Sequence, residues 1–400
     1  MRILHTSDWH LGRTLHGVDL HEHHEAFHDH LLRTVVDREV DVVLVAGDVY
    51  DRAIPPVQSV DLLSRTLARL AEVTTVVLTP GNHDSAVRLG FGRQIMRDGI
   101  HILADAPGID HPVAVQDEHG EVLFFGLPYL EPDIARFSLA AEDEEPLARS
   151  HEAVTAAAMD RVRARIAQRT AVRAEEGKSA PRAVVLAHTF VAGGTGSDSE
   201  RDLTVGGVET VPGSVFAGVD YVALGHLHGC QDLSSLLGPE RGPAAMWYSG
   251  SPLPYSLSEK DHRKATVLIE LGASGVESVE RIAVPQPRRI IELRGSLDEI
   301  LAAAPAHAED WLFARVTDPQ RPVHMQETIR ARFPHLLQAL HEPEGRERAA
   351  SLVDVRAVRD PLAVMDEFMR SATGAVPTAE EREILEGAWR AVRAREVEAS

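Results

Sequence analysis

Short apolar, β-branched runs alternate with longer amphipathic ones through the first hundred residues. Residues 2–7 (RILHTS), 41–47 (DVVLVAG) and 74–79 (TTVVLT) each read as a strand running into a polar or glycine-containing loop. Between the first two, Phe27, Leu31, Leu32, Val35 and Val36 recur at helical spacing. Between the next two, Val60, Leu63, Leu67 and Leu70 do the same after Pro55-Pro56. A βαβαβ order of this kind predicts an α/β fold in which helices layer a sheet. Further buried strands are predicted at 122–126, 183–187, 220–224 and 265–270.

The pattern then changes. Residues 142–180 open on EDEEP and close on EEGKSAPR around a charged, alanine-rich helix carrying Val154, Val162 and Ile166, which reads as a solvated helical insertion. Residues 192–207 (AGGTGSDSERDLTVGG) have the length and glycine content of a functional loop. After Pro285-Gln286-Pro287, strand-like 289–294 and 311–317 alternate with helical 297–304 and 323–332, predicting a small α+β cap domain. Helical segments near 361–371 and 379–397 follow, the last with Ile384, Leu385, Trp389 and Val392 on one stripe. The expected division is a catalytic domain at 1–285, a cap at 286–345 and a C-terminal helical segment at 346–400.

Candidate chemistry sits where strands end. Asp8-Trp9-His10 follows the first strand, Gly47-Asp48-Val49-Tyr50-Asp51 the second and Gly81-Asn82-His83-Asp84 the third. His188 closes Val184-Val185-Leu186, and Gly225-His226-Leu227-His228 follows the run Tyr221-Val222-Ala223-Leu224. Ligands of α/β sheets bind at that edge. Residues i and i+2 of an extended chain point the same way, which would let Asp8 with His10, and His226 with His228, face one metal. Asp48 reads as a bridging ligand, since a carboxylate can offer an oxygen to each of two cations. A mixed Asp, Asn and His set without thiolate suits Mn²⁺, Fe or Zn²⁺ better than Ca²⁺. Two such ions ~3.5–4 Å apart bind a phosphate, activate water and stabilise a leaving oxygen.

Composition narrows the classes. With 44% hydrophobic and 26% charged residues the chain reads as a soluble globular protein. No apolar run approaches the ~20 residues of a membrane span, and the opening MRILHTSDWH turns polar too early for a signal peptide. A single cysteine excludes an internal disulfide and fits a reducing cytoplasm; Cys230 reads as a half-buried thiol rather than an extra ligand. Forty-one basic against 61 acidic residues leave a net charge of −20, which argues against nonspecific coating of nucleic acid. Bound cations and a local basic rim would have to receive a phosphodiester. Arg13, Arg52 and Arg88 each follow a motif closely, as DNA-backbone contacts or as members of surface ion pairs. The histidines at 21, 23, 24, 28 and 30 scatter around their helix and read as a solvated surface.

The ordered motif series resembles the calcineurin-like metallophosphoesterases. MRILHTSDWHLG, VAGDVYD, GNHDS, SDSER and YSGSPLPYS further resemble the family of bacterial SbcD nuclease subunits, most densely over 1–100 and 183–260. The resemblance implies layered β-sheets flanked by helices. It implies one metal held by Asp8, His10, Asp48 and His228, and a second held by Asp48, Asn82, His188 and His226. His83 would lie over the phosphate to stabilise the transition state or protonate the leaving oxygen. The Asp51 carboxylate beside it would keep its pKa near neutrality. The resemblance also implies Mn²⁺-dependent 3′→5′ double-strand exonuclease and single-strand endonuclease activity on DNA ends and hairpins. A cytoplasmic homodimer would work with the ATPase SbcC, docked on the C-terminal helices and away from any membrane; helices near 22–37 and 85–97 are the candidate dimer contacts. Two other readings stay open. One is a small-substrate phosphodiesterase or protein phosphatase of the same superfamily, favoured by the acidic charge. The other is a non-catalytic DNA-end clamp, disfavoured because no ligand position is substituted.

Overall fold

The computed structural model describes residues 1–96, 98–140, 145–200, 210–238, 244–343, 369 and 377–398. Two six-stranded sheets form its centre. The first runs β14 (Gly275–Ala283), β13 (Ala265–Gly272), β1 (Arg2–Thr6), β4 (Val42–Ala46), β5 (Thr75–Thr79), β6 (Ile100–Ile102). The second runs β11 (Gln231–Asp232), β12 (Ala245–Tyr248), β10 (Tyr221–Gly225), β9 (Arg182–His188), β8 (Gly120–Leu127), β7 (Val113–Asp117). The remaining early strands, β2 (Thr14–Leu15) and β3 (Val18–Asp19), make a short antiparallel hairpin.

Period-2 alternation explains the layering. In β4, Val42 and Leu44 face Phe124, Val184, Leu186 and Ala223 of the second sheet, while Val43 and Val45 face the helices behind. A strand covered on both faces needs a continuous apolar run, and VVLVA is one. Helices α1 (His21–Asp37) and α2 (Val57–Leu70) bury Phe27, Leu31, Val35, Leu63 and Leu67 on that outer face. Each fully buried Val, Leu or Phe contributes ~1.5–3 kcal/mol over its exposed state.

Two expectations are corrected here. The helix near 151–175 is no solvated insertion. As α5 (His151–Glu175), after the short α3 (Ala86–Leu89) and α4 (Pro132–Ser138), it buries Val154, Ala158, Met159, Val162 and Ile166 against Phe125, Val185 and Val222. It is the outer layer of the second sheet. The histidine cluster is likewise not all surface. His24 and His28 stand one turn apart on the stripe of Phe27 and Leu31 and are buried. His24 Nε2 lies 3.2 Å from the Tyr255 hydroxyl, and His28 Nδ1 lies 3.1 Å from Thr66 Oγ1. Burial lowers His24 to about 3, so it stays neutral at neutral pH.

The segment after Val284 is built from β15 (Ile290–Gly295), α6 (Leu297–Ala302), α7 (Ala304–His307), β16 (Trp311–Val316), α8 (Met325–Arg332) and β17 (Leu336–His341). Its three strands are parallel and joined by helical crossovers, in the alternation of strand and helix expected for the cap. Alternation along β16 decides its faces. Leu312, Ala314 and Val316 meet Ile300, Met325 and Ile329 of its own helices, whereas Trp311 and Phe313 meet Leu15, Leu20, Leu253 and Tyr255 of the large domain. The expected helix near 361–371 lies outside the described residues, Met369 excepted; the last helix, α9, spans Ala379–Glu398.

Candidate metal centre

Register brings the motifs to one place. β1, β4 and β5 run parallel, as do β9 and β10, in which Gly225 pairs with His188. The loops after all five strands open along one edge of the two sheets. Glycine precedes the motif residue in three loops, those of Gly47, Gly81 and Gly225, because the chain there is in close contact with its neighbours. A Cβ on Gly225 would sit 1.7 Å from the Ala46 carbonyl oxygen. One on Gly47, already at φ +84°, would sit 2.1 Å from His188 Nδ1.

The ligand side chains do not converge through extended alternation. Asp8, His10 and Asp48 adopt left-handed φ values of 52°, 46° and 47°, and His226 sits at 110°. Four of the seven described non-glycine residues with positive φ are therefore site residues, so backbone strain is concentrated here. Hydrogen bonds hold those turns. Asp8 Oδ1 accepts from the His226 N–H at 2.9 Å and Asp8 Oδ2 from the Ser7 hydroxyl at 2.5 Å. Asp48 Oδ1 accepts from the His83 N–H at 2.9 Å. Asp48 Oδ2 is left facing both histidines, 3.6 Å from His10 Nε2 and 3.4 Å from His188 Nε2.

On one side, His10 Nε2 and His228 Nε2 approach to 3.1 Å. On the other, Asn82 Oδ1 lies 2.9 Å from His188 Nε2 and 3.3 Å from His226 Nδ1. Donor atoms of Asp8, His10 and His228, and of Asp8, Asp48 and His188, fall within 4.8 Å of one another. His10, Asp48 and His83 form a third such group, so distance alone does not set His83 apart from the others.

The electrostatics suit cations. Burial lowers His226 to about 3 and His10 well below its usual value, keeping both imidazoles free to ligate. Burial raises Asp8 to about 6, a cost that a neighbouring cation would relieve. Burial acts to raise Asp48 too, but the adjacent His188 overrides it and holds the carboxylate well below its usual range. His188 Nδ1 lies 3.1 Å from the Ala46 carbonyl, which can only accept, so Nδ1 carries a proton and Nε2 is the atom turned to the centre. Burial acts to lower its pKa, but Asp48 overrides it and raises His188 to about 9, a charge that a cation in the site would displace. A donor set of imidazoles, two buried carboxylates and an amide oxygen fits divalent ions.

One expected contact is different in kind. His83 Nδ1 faces the backbone carbonyl of Asp51 at 2.8 Å, not its carboxylate. The Asp51 side chain turns instead to His10 Nδ1 at 3.7 Å and Arg13 at 3.6 Å. Arg13 lies inside the site, donating to the Ser199 carbonyl at 2.7 Å with its guanidinium over the Tyr255 ring. Arg52 is 59% exposed on the rim, and Arg88 donates to the Ala53 carbonyl beside it at 3.1 Å. Cys230 packs on the inter-sheet core.

Three further residues support the ligands without joining them. Asp84 ties ligand loops together, and Ser199 and Glu259 stand behind His228 at 2.6 and 3.3 Å. Ser199 lies in the SDSER segment of the long loop; nothing marked Glu259, 31 residues from His228.

The chain belongs to the calcineurin-like phosphoesterase family, which matches residues 1–230. Residues 286–373 match a second family, described as the Type 5 capsule protein repressor C-terminal domain. Within the first family it is similar to the SbcD subunits of SbcCD nucleases. The one from Rhodobacter capsulatus is 34% identical across 90% of this chain and 85% of its own length. That of Escherichia coli K12 is 31% identical across 78% and 74%, and that of Bacillus subtilis 34% identical across 68% and 66%.

Proposed function

We propose that this chain is a metal-dependent DNA nuclease, the phosphodiesterase component of a DNA-end-processing complex with the ATPase SbcC. His83 is the observation that carries the reading. It is a buried imidazole beside the ligand set, its ring 4.7 Å from that of His10 and its Nε2 3.9 Å from Asp48 Oδ2. Because Nδ1 faces a carbonyl, it keeps its proton, and Nε2 is the atom that would exchange one. Doubly protonated, the ring aims an Nε2–H at a leaving oxygen; singly protonated, it accepts there.

Asp8, His10, Asp48 and His228 would hold one cation, and Asp48, Asn82, His188 and His226 a second, for which we assign Mn²⁺. Bound there, the ions supply Lewis-acid polarisation of phosphate and water. Arg52 and Arg88 would position the DNA backbone at the rim, offsetting locally the chain's net charge of −20. The proposed activity is 3′→5′ exonuclease on duplex ends and endonuclease on single strands and hairpins. The C-terminal segment, 346–400, is assigned to SbcC docking; its described helix α9 leaves Ile384 67% exposed. No helix among the described residues is long and apolar enough to cross a membrane, and a cytoplasmic site of action fits the single cysteine.

The test is Mn²⁺-dependent cleavage of end-labelled linear and hairpin DNA, with a chromogenic bis-phosphodiester alongside. The expected result is DNA cleavage that His83→Ala slows by ~10²–10⁴-fold while Mn²⁺ binding persists. Turnover of the small substrate alone would make this a small-substrate phosphodiesterase. Turnover of neither would leave a DNA-end clamp.

A further inference from the structure

His228 is held from behind by a buried polar cluster. Its Nε2 points to His10; the opposite nitrogen, Nδ1, lies 2.6 Å from Ser199 Oγ. Ser199 in turn donates its hydroxyl to Glu259 Oε1, which also accepts the Tyr255 N–H at 3.1 Å. Glu259 Oε2 faces the Lys264 ammonium, and the two side chains form an ion pair that is buried at both ends. Lys264 spends its other protons on the His228 carbonyl at 3.0 Å and Ser251 Oγ at 2.8 Å.

Proton counting gives this cluster a direction. A carboxylate facing an ammonium and a backbone N–H has only lone pairs to offer. Ser199 has one hydroxyl proton and gives it to Glu259, so toward His228 its oxygen can only accept. The imidazole proton must then sit on Nδ1, and the Nε2 lone pair is the one presented to the centre. Glu200 adds a second hold: its Oε1 accepts the His228 backbone N–H at 2.7 Å.

We propose that Glu259, 3.3 Å from His228 Nδ1, acting directly and through Ser199 and anchored by Lys264, is a positioning residue that sets the tautomer of His228 and so selects its metal-binding nitrogen. The proposal rests on the metal-centre reading above and adds to it residues that touch neither substrate nor the reacting atoms. Outer-shell partners of this kind are worth ~10–100-fold in metal affinity. A plain structural role for the Glu259–Lys264 pair would change stability and leave the tautomer alone.

The test uses the full chain labelled with ¹⁵N-histidine and free of metal, in which long-range ¹H–¹⁵N couplings report the tautomer of each ring. Calorimetric titration with Mn²⁺ follows. In the unsubstituted chain His228 should carry its proton on Nδ1. Ser199→Ala and Glu259→Gln should shift it toward Nε2–H and weaken one of two Mn²⁺ sites ~10–100-fold, the other site holding. Ser199→Thr, which keeps a hydroxyl, should restore both. An Nδ1–H tautomer that persists when Ser199→Ala and Glu259→Gln are combined, or is missing from the unsubstituted chain, overturns the proposal. If Glu259→Gln does not fold, Ser199→Ala, which removes the shorter of the two contacts, decides through the Mn²⁺ titration: one site weakened supports the proposal, both sites unchanged overturns it. Failure of the unsubstituted chain to bind Mn²⁺ would count against the metal centre itself, whereas the tautomer, read without metal, judges the positioning.

Discussion

Asp84 accepts three backbone N–H groups, from Val49 at 3.0 Å, Tyr50 at 2.8 Å and Gly81 at 2.9 Å. It thereby pins the loop carrying Asp48 to the loop carrying Asn82 and His83. Asp84→Ala would leave three amides without an acceptor, each costing ~1–3 kcal/mol. We expect urea unfolding to show a loss of ~3 kcal/mol or more, and Mn²⁺ to bind more weakly. A loss below about 1 kcal/mol would sink the idea that this carboxylate staples the two loops. Legibility at this scale followed chemistry type. Asp8, Asn82 and the histidines were readable as one cluster because residue types able to ligate sat together at strand ends. Asp51 was readable as a residue but not as an atom, since its contact to His83 is made by a carbonyl that every residue possesses. The left-handed turns at Asp8, His10 and Asp48 were hidden for a related reason: none is a glycine, so nothing in the residue type announces the strain. His24 and His28 were legible in principle, because a four-residue spacing beside Phe27 and Leu31 puts them on the buried stripe.

Elements were readable where they are buried on both faces and obscure where they are edges. β4, β5, β9 and β10 carry continuous apolar runs, and β1 is buried from Ile3 onward. β7 alternates half-buried with exposed positions at the edge of its sheet, and β6 has only three residues at the edge of the other. Neither leaves a pattern strong enough to separate from a loop. The helix α5 misled in the opposite way. Its buried stripe includes Ala158 among its members, and alanine looks the same in a core as on a surface. The consequence is measurable at Met159, fully buried against the second sheet. Met159→Ala should cost ~2–5 kcal/mol in chemical denaturation, as in any packed core. A change within ~0.5 kcal/mol is what a solvated insertion would give, and would restore that reading.

At the scale of the whole molecule, charge and apolar surface make opposite demands. Each chain carries −20, so two copies repel. Yet one region exposes large apolar side chains at close quarters: Phe91 is 83% and Ile95 87% exposed, with Val87 nearby and Ile54 and Val57 across the Arg88–Ala53 contact. Surfaces of this kind mark association sites. The region coincides with the segment near 85–97 named as a candidate dimer contact, and we propose it, ahead of α1, whose apolar stripe is already spent on the sheet, as the place where two copies would meet. Burying each such side chain is worth ~1.5–3 kcal/mol, so Phe91→Asp with Ile95→Asp should shift sedimentation to the monomer while activity toward a small diester persists. Salt gives the independent check. An interface driven by apolar burial between like-charged chains should tighten as salt rises from ~0.1 to ~1 M, because screening shortens from ~10 to ~3 Å and removes the repulsion. A dimer that instead dissociates with salt would have to be held by ion pairs, and the contact would then lie elsewhere on the surface.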